Sequence, residues 1–71
     1  MNLRELNALL APTGWATRTP GSSRSHGWWS VIPTTPAAWS RADTETYLRE
    51  FAGLQTSHGA RDTESLFVRL P

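Results

Sequence analysis

Two imidazoles, His26 and His58, are the side chains of these 71 residues best suited to acid–base work or to holding a metal. Neither belongs to a His-x-x-x-His or cysteine-bearing pattern, and the chain has no cysteine, so a zinc centre lacks its usual ligands. Serines are plentiful, but none sits in a Gly-x-Ser-x-Gly elbow, and a histidine with a carboxylate somewhere in so short a chain is expected by chance. The run Gly21-Ser22-Ser23-Arg24-Ser25-His26-Gly27 offers N–H groups, hydroxyls and one guanidinium, the ingredients of a phosphate cradle. It lacks the Gly-x-x-x-x-Gly-Lys spacing and leads into strand-prone residues, so a solvated hairpin tip is the simpler expectation. A water-excluding pocket is also hard to build at this size. We therefore expect no catalytic residue, no metal and no cofactor.

Binding chemistry is better represented, and it centres on Gly27-Trp28-Trp29-Ser30-Val31-Ile32-Pro33. Adjacent tryptophans in a β-branched setting predict a strand, in which successive side chains point to opposite faces. Trp28 and Trp29 therefore cannot share one core. If helices cover only one face of the sheet, one indole lies on the other face, where a large apolar group marks a contact surface.

The elements that must position that strand follow in order. Asn2 and Glu5 fit a helix N-cap with an acid at the third position, and Leu3, Leu6, Leu9 and Leu10 form a stripe, predicting a helix at about 3–11 that Pro12 and Gly14 stop. Trp15 to Thr19 predicts a short strand, Pro20 to Ser25 a turn, and Trp28 to Ile32 the return strand of a hairpin, ended by Pro33. Residues 34–39 form a connection that could hold one helical turn, with Thr35 as cap and Pro36 first. Ser40 with Asp43 predicts the cap of a second helix, whose stripe Tyr47, Leu48, Phe51 and Leu54 should face the sheet. Arg41 with Glu45 and Glu45 with Arg49 stand four apart, a solvated pattern. Residues 55–64 lack apolar periodicity and predict a loop, whereas Leu66, Val68 and Leu70 alternate with Phe67 and Arg69 as in a half-buried strand. The expected fold is a small α+β single domain over 1–71, in the order α-β-β-α-β, with a three-stranded antiparallel sheet and both helices on one face.

On that plan the far face of the sheet gathers Phe67, Arg69, Arg18 and one of Trp28 and Trp29, with Arg24 nearby. Such a surface suits a protein, since Trp and Arg are common hot spots, or single-stranded nucleic acid, whose bases stack on aromatic rings. The same tryptophans would also serve simply as core. Net charge is only +1, short of the strong basic bias of sequence-independent nucleic-acid binders. Residues 12–40 carry Arg18 and Arg24 without an acid, while 41–64 carry three arginines against Asp43, Glu45, Glu50, Asp62 and Glu64. That acidic side offers a second mode, mimicry of nucleic-acid charge. All seven basic residues are arginine, which fits either planar bidentate donors or the codon bias of a GC-rich genome.

Leu9-Leu10-Ala11 is too short and wrongly flanked for a signal peptide or membrane span, and with no cysteine a cytoplasmic home is the default. A 71-residue domain buries only about 60% of its unfolded surface, so marginal stability is expected.

Arg4-Glu5-Leu6, Leu9-Leu10, Gly14-Trp15, Arg18 and Gly21-Ser22 resemble the opening of HicA-type toxins, small mRNA interferases with a double-stranded-RNA-binding-like fold. The resemblance covers the first third of the chain. It aligns Ser23 with the family's catalytic histidine after a one-residue gap, and His26 lies three residues too late to replace it. It implies an RNA-related or antitoxin-binding surface without the cleavage chemistry. The family closes with a strand and then a helix, whereas this chain is expected to end helix then strand.

Together these expectations describe a small non-enzymatic interaction protein, monomer or homodimer, that inhibits a larger protein or protein–nucleic acid complex by occlusion. Short, cysteine-free, motif-free domains of this kind are typical of phage and mobile-element genes, including anti-CRISPR inhibitors of host defence. The alternative is an RNA- or DNA-binding module related to HicA-type toxins.

Overall fold

The computed structural model describes residues 1–18, 24–25, 27–58 and 66–71, with the backbone alone for 24 and 25. The first helix, α1 (Leu3–Leu10), begins with the capping box the sequence predicts. Asn2 Oδ1 accepts from Glu5 N at 2.9 Å and Glu5 Oε1 accepts from Asn2 N at 3.0 Å, satisfying two orphan donors of the first turn. Leu6 and Leu10 are fully buried. The helix tightens into a 3-10 turn, Ala11–Thr13, and Gly14 (φ 77°) turns the chain into the sheet.

Among the described residues the strands are β1 (Trp15–Thr17), β2 (Arg24–Ser25), β3 (Trp28–Pro33), β4 (Gln55–Ser57) and β5 (Leu66–Arg69). All pairings are antiparallel, and the main path runs β1-β3-β5-β4, with the two-residue β2 also paired to β3. The expected α+β class holds, but the sheet is wider than the three strands expected. Gln55–Ser57, expected within a loop, is an edge strand on β5. Its residues are polar on both faces, so it shows none of the alternation that reveals a half-buried strand. Arg24 and Ser25, expected in the turn, are strand residues paired with Trp29 and Trp28, and Gly27, just before β3, has φ 84°.

The outer edge of β1 is closed by side chains. Thr17 N donates to Asn7 Oδ1 and Asn7 Nδ2 donates to Thr17 Oγ1, both at 2.9 Å, while Trp15 N donates to Thr13 Oγ1 at 3.0 Å. An edge whose N–H groups are engaged this way is a poor template for another strand.

The second helix, α2 (Arg41–Glu50), starts at Ser40, whose Oγ accepts from Asp43 N at 3.1 Å. Its buried face is Thr44, Glu45 and Leu48. The core joins both helices to one sheet face: Leu6 and Leu10 from α1, Leu48 from α2, Leu54 beyond it, and Trp15, Val31, Leu66 and Val68 from the strands. Tyr47 Oη donates to the Leu9 carbonyl at 2.7 Å, linking the helices directly. The 34–40 connection is held to the 3-10 end of α1 by Trp39 N to Thr13 O at 2.8 Å and by Trp15 Nε1 to Trp39 O at 2.7 Å. It contains a turn in which Ala38 N donates to Thr35 O at 3.2 Å.

One member of the expected α2 stripe does not face the sheet: Phe51 is 73% exposed. Phe51 is the C-cap of α2, one residue past its last helical position Glu50, and its ring lies against Tyr47 instead of the sheet. Among the described residues, no helix is long and apolar enough to cross a membrane.

Candidate interaction surfaces

Register decides which tryptophan faces where, because directly paired residues share a face. Trp29 stands opposite Val68, a fully buried core residue, so its indole is on the helix side and is half-buried there. Trp28 stands opposite Arg69, which stands opposite Gln55, and this row points away from the helices. The next row on that outer face is Ser30, Phe67 and Ser57. Ile32 and Ala16 form a third pair, and Arg18, whose N–H donates to the Ser30 carbonyl at 3.0 Å, continues the alternation beside Ser30.

The outer face thus brings together Trp28, Phe67, Arg69 and Arg18, as expected, and adds Ile32. Trp28, Ile32 and Phe67 are half-buried, and Arg18 and Arg69 are exposed. Trp28 and Phe67 are diagonal neighbours on the two central strands, a spacing of about 7–8 Å between Cα positions. The Arg69 guanidinium lies by Gly27, where a Cβ would meet its Nε at 3.9 Å. No acidic residue is on this face among the described residues. Trp29 belongs to the other face and does not join the cluster, and the Arg24 side chain lies outside the described part of the chain.

The acidic alternative fares differently. Asp43 and Glu50 are exposed, and Asp62 and Glu64 lie outside the described residues. Glu45 is 7% exposed, not a surface charge. It shares the inward side of α2 with Thr44 and Leu48, and its carboxylate is surrounded: His58 Nδ1 at 2.9 Å and Arg41 Nε at 3.5 Å from Oε1, and Thr56 Oγ1 donating to Oε2 at 3.2 Å. The expected Arg41–Glu45 pair is therefore present but partly desolvated. The cluster ties α2 to β4 and to His58 just after it. It brings one imidazole to one carboxylate, and no group of three potential metal ligands occurs among the described residues. The other histidine, His26, and the glycine-serine run through Ser23 lie outside them.

A second surface was not marked out by the sequence pattern. The exposed large hydrophobics among the described residues are Met1, Trp39 and Phe51, and all three gather round Tyr47. Tyr47 stacks on Phe51 with centroids 5.3 Å apart and takes Trp39 edge-on at 5.5 Å. On its other side a shallow groove of about 450 Å³ runs between the helices, lined by Met1, Glu5, Ala8, Leu9 and Tyr47. The available signal was the spacing Tyr47–Phe51, which fits an exposed aromatic pair as well as a core stripe.

The fold is thus a two-layer α+β domain with an arginine-flanked aromatic face on its sheet side and an aromatic cluster on its helix side. No protein-family model, curated protein or solved structure matches this chain.

Proposed function

We propose that this chain is a non-enzymatic interaction protein that docks the outer face of its sheet onto a larger partner and inhibits it by occlusion. The observation that carries this reading is the register that sets Trp28, Phe67 and Ile32 beside Arg18 and Arg69 on the face turned from both helices. Aromatic and arginine side chains carried by central strands are rigid anchors of the kind that dominate interface energetics. Their positive charge, unopposed among the described residues of that face, selects a partner with acidic groups, such as a nucleic-acid-handling protein machine or its complex with nucleic acid. Inhibition of a host defence machine by a phage or mobile-element protein, as anti-CRISPR proteins do, is one setting that fits such occlusion. In that setting the protein works in the cytoplasm.

The same absence of acids favours one second reading, an RNA- or DNA-binding module related to HicA-type toxins, with Trp28 and Phe67 as stacking platforms. Affinity capture from the native host distinguishes the two when wild type is run beside Trp28→Ala and Arg69→Glu. A partner protein held by wild type and lost by both variants supports docking. Equal recovery by all three removes it. If single-stranded oligonucleotide quenches tryptophan fluorescence at low salt, with affinity falling steeply as salt rises, the second reading replaces the first.

A further inference from the structure

The helix side carries a different kind of surface, and from it we infer that the Trp39–Tyr47–Phe51 cluster and the adjoining α1/α2 groove receive a basic amphipathic segment of a partner protein, one that brings apolar side chains together with lysine or arginine. This surface lies on the opposite layer from the sheet face and works independently of it. Phe51, 73% exposed, stacks on Tyr47; Trp39, 40% exposed, meets it edge-on; and Met1, 45% exposed, shares the groove with it. Contiguous apolar surface of this kind marks an interface. The groove holds about 450 Å³, and the eight residues of α1 give it a wall about 12 Å long, enough for two turns of a docked helix. The site is also preformed: the Tyr47 hydroxyl donates to the Leu9 carbonyl at 2.7 Å, and the ring is fixed between Trp39 and Phe51, so docking costs little conformational entropy there.

Charge selects the occupant. On the α1 side the groove is lined by Glu5, and on the α2 side the exposed Asp43 and Glu50 lie one turn either side of Tyr47. Acids thus stand on both rims of the aromatic patch. Glu5 offers Oε1 to Asn2 N in the capping box and leaves Oε2 without a hydrogen bond among the described residues. The neighbouring arginines are placed elsewhere: Arg4 is not among the residues lining the groove, and Arg49, two residues after Tyr47, falls on another side of α2. Acidic rims repel a nucleic-acid backbone or an anionic membrane, and they bring like charges together if the patch meets its own copy. Lysine and arginine suit them, because their aliphatic stems can lie on aromatic rings while the charged heads reach the carboxylates. The exposed Phe51 and Trp39 rings add attraction for the same cations. Apolar residues spaced along one face of the segment would fill the groove between the helices, as amphipathic helices do in other grooves.

The test titrates the purified full chain into a fluorescently labelled synthetic helical peptide with leucines along one face and lysines on the other, read by anisotropy. Wild type should bind it saturably, and two control peptides, one with glutamate for lysine and one with glutamine for leucine, should each bind at least about tenfold more weakly. Phe51→Ser should weaken binding of the leucine–lysine peptide by at least about tenfold, since it removes the most exposed ring of the patch. Glu50→Lys should weaken it by about three- to tenfold and strengthen binding of the leucine–glutamate peptide, a reversal that a fault in folding does not produce. Both positions are exposed, so the circular dichroism of these variants should match wild type. Trp28→Ala should bind as wild type does. No saturable binding, equal affinity for the lysine and glutamate peptides, or indifference to Phe51→Ser overturns the inference, and loss of binding in Trp28→Ala would move the peptide to the sheet face and overturn it as well. A reversible dimer in sedimentation equilibrium that Phe51→Ser abolishes would assign the patch to a second copy instead.

Discussion

Gly14 and Gly53 form a matched pair for asking what holds the two layers together. Both have positive φ, 77° and 67°, so alanine at either position bears the cost of a left-handed backbone, about 1–2 kcal/mol, less about 0.4–1 kcal/mol recovered from a stiffer unfolded chain. They differ in their surroundings. A Cβ on Gly53 would meet nothing within 4 Å, whereas one on Gly14 would lie 2.9 Å from Ala38 Cα and 3.2 Å from Thr35 Oγ1. The first of these is backbone and cannot rotate aside. The Gly14 carbonyl also accepts from both Thr34 N and Thr34 Oγ1 at 2.8 Å, so any displacement strains two hydrogen bonds. Overpacking of this kind costs about 1–3 kcal/mol. Gly14→Ala should therefore lose about 2–4 kcal/mol and Gly53→Ala about 1 kcal/mol or less. A chain of 71 residues has total stability of about 4–10 kcal/mol, so the first loss is a large share. Urea titration followed by tryptophan fluorescence measures both, and thermal melts should separate the variants by about 4–8 °C per kcal/mol. If the two alanine variants agree within about 0.5 kcal/mol, close packing of the 34–40 connection against Gly14 contributes nothing, and the account of how that connection is anchored is wrong.

Two further outcomes follow from hydrogen bonds. Glu45→Gln keeps the shape of the side chain but removes the charge facing Arg41 and His58; unfolding free energy should fall by about 1–3 kcal/mol in chemical denaturation, whereas a surface carboxylate would give almost no change. Asn7→Ala removes both bonds to Thr17 and uncovers the β1 edge. It should cost about 1–2 kcal/mol and speed hydrogen exchange at the Thr17 amide, and unaltered exchange there would show that the edge is not sealed by Asn7.

Much of the framework was legible because it rests on local rules. The caps at Asn2 and Ser40 announced both helices, and Leu66, Phe67, Val68 and Arg69 announced β5 by alternation. What escaped was decided by tertiary partners. Gln55, Thr56 and Ser57 pair with β5 but bear no apolar face, so only the sheet itself reveals them as a strand. The inward Glu45 sits at a position its four-residue spacing from Arg41 described as solvated; its burial depends on Thr56 and His58, which arrive from another element. Alternation separated Trp28 from Trp29 but could not name the outward one, since that choice depends on the register with Val68 and Arg69. Phe51 shows the reverse: its spacing continues the stripe, yet it is the C-cap of α2, past the last helical position, and stacks on Tyr47 with most of its surface exposed.

The two surfaces lie on opposite layers, and that placement has a physical consequence. A contact through Tyr47 and Phe51 would cover helix surface and leave the Trp28 face open, so the two sides do not share atoms. The sheet side, with Arg18 and Arg69 among aromatics and no described acid, would repel its own image and favours a partner that brings negative charge.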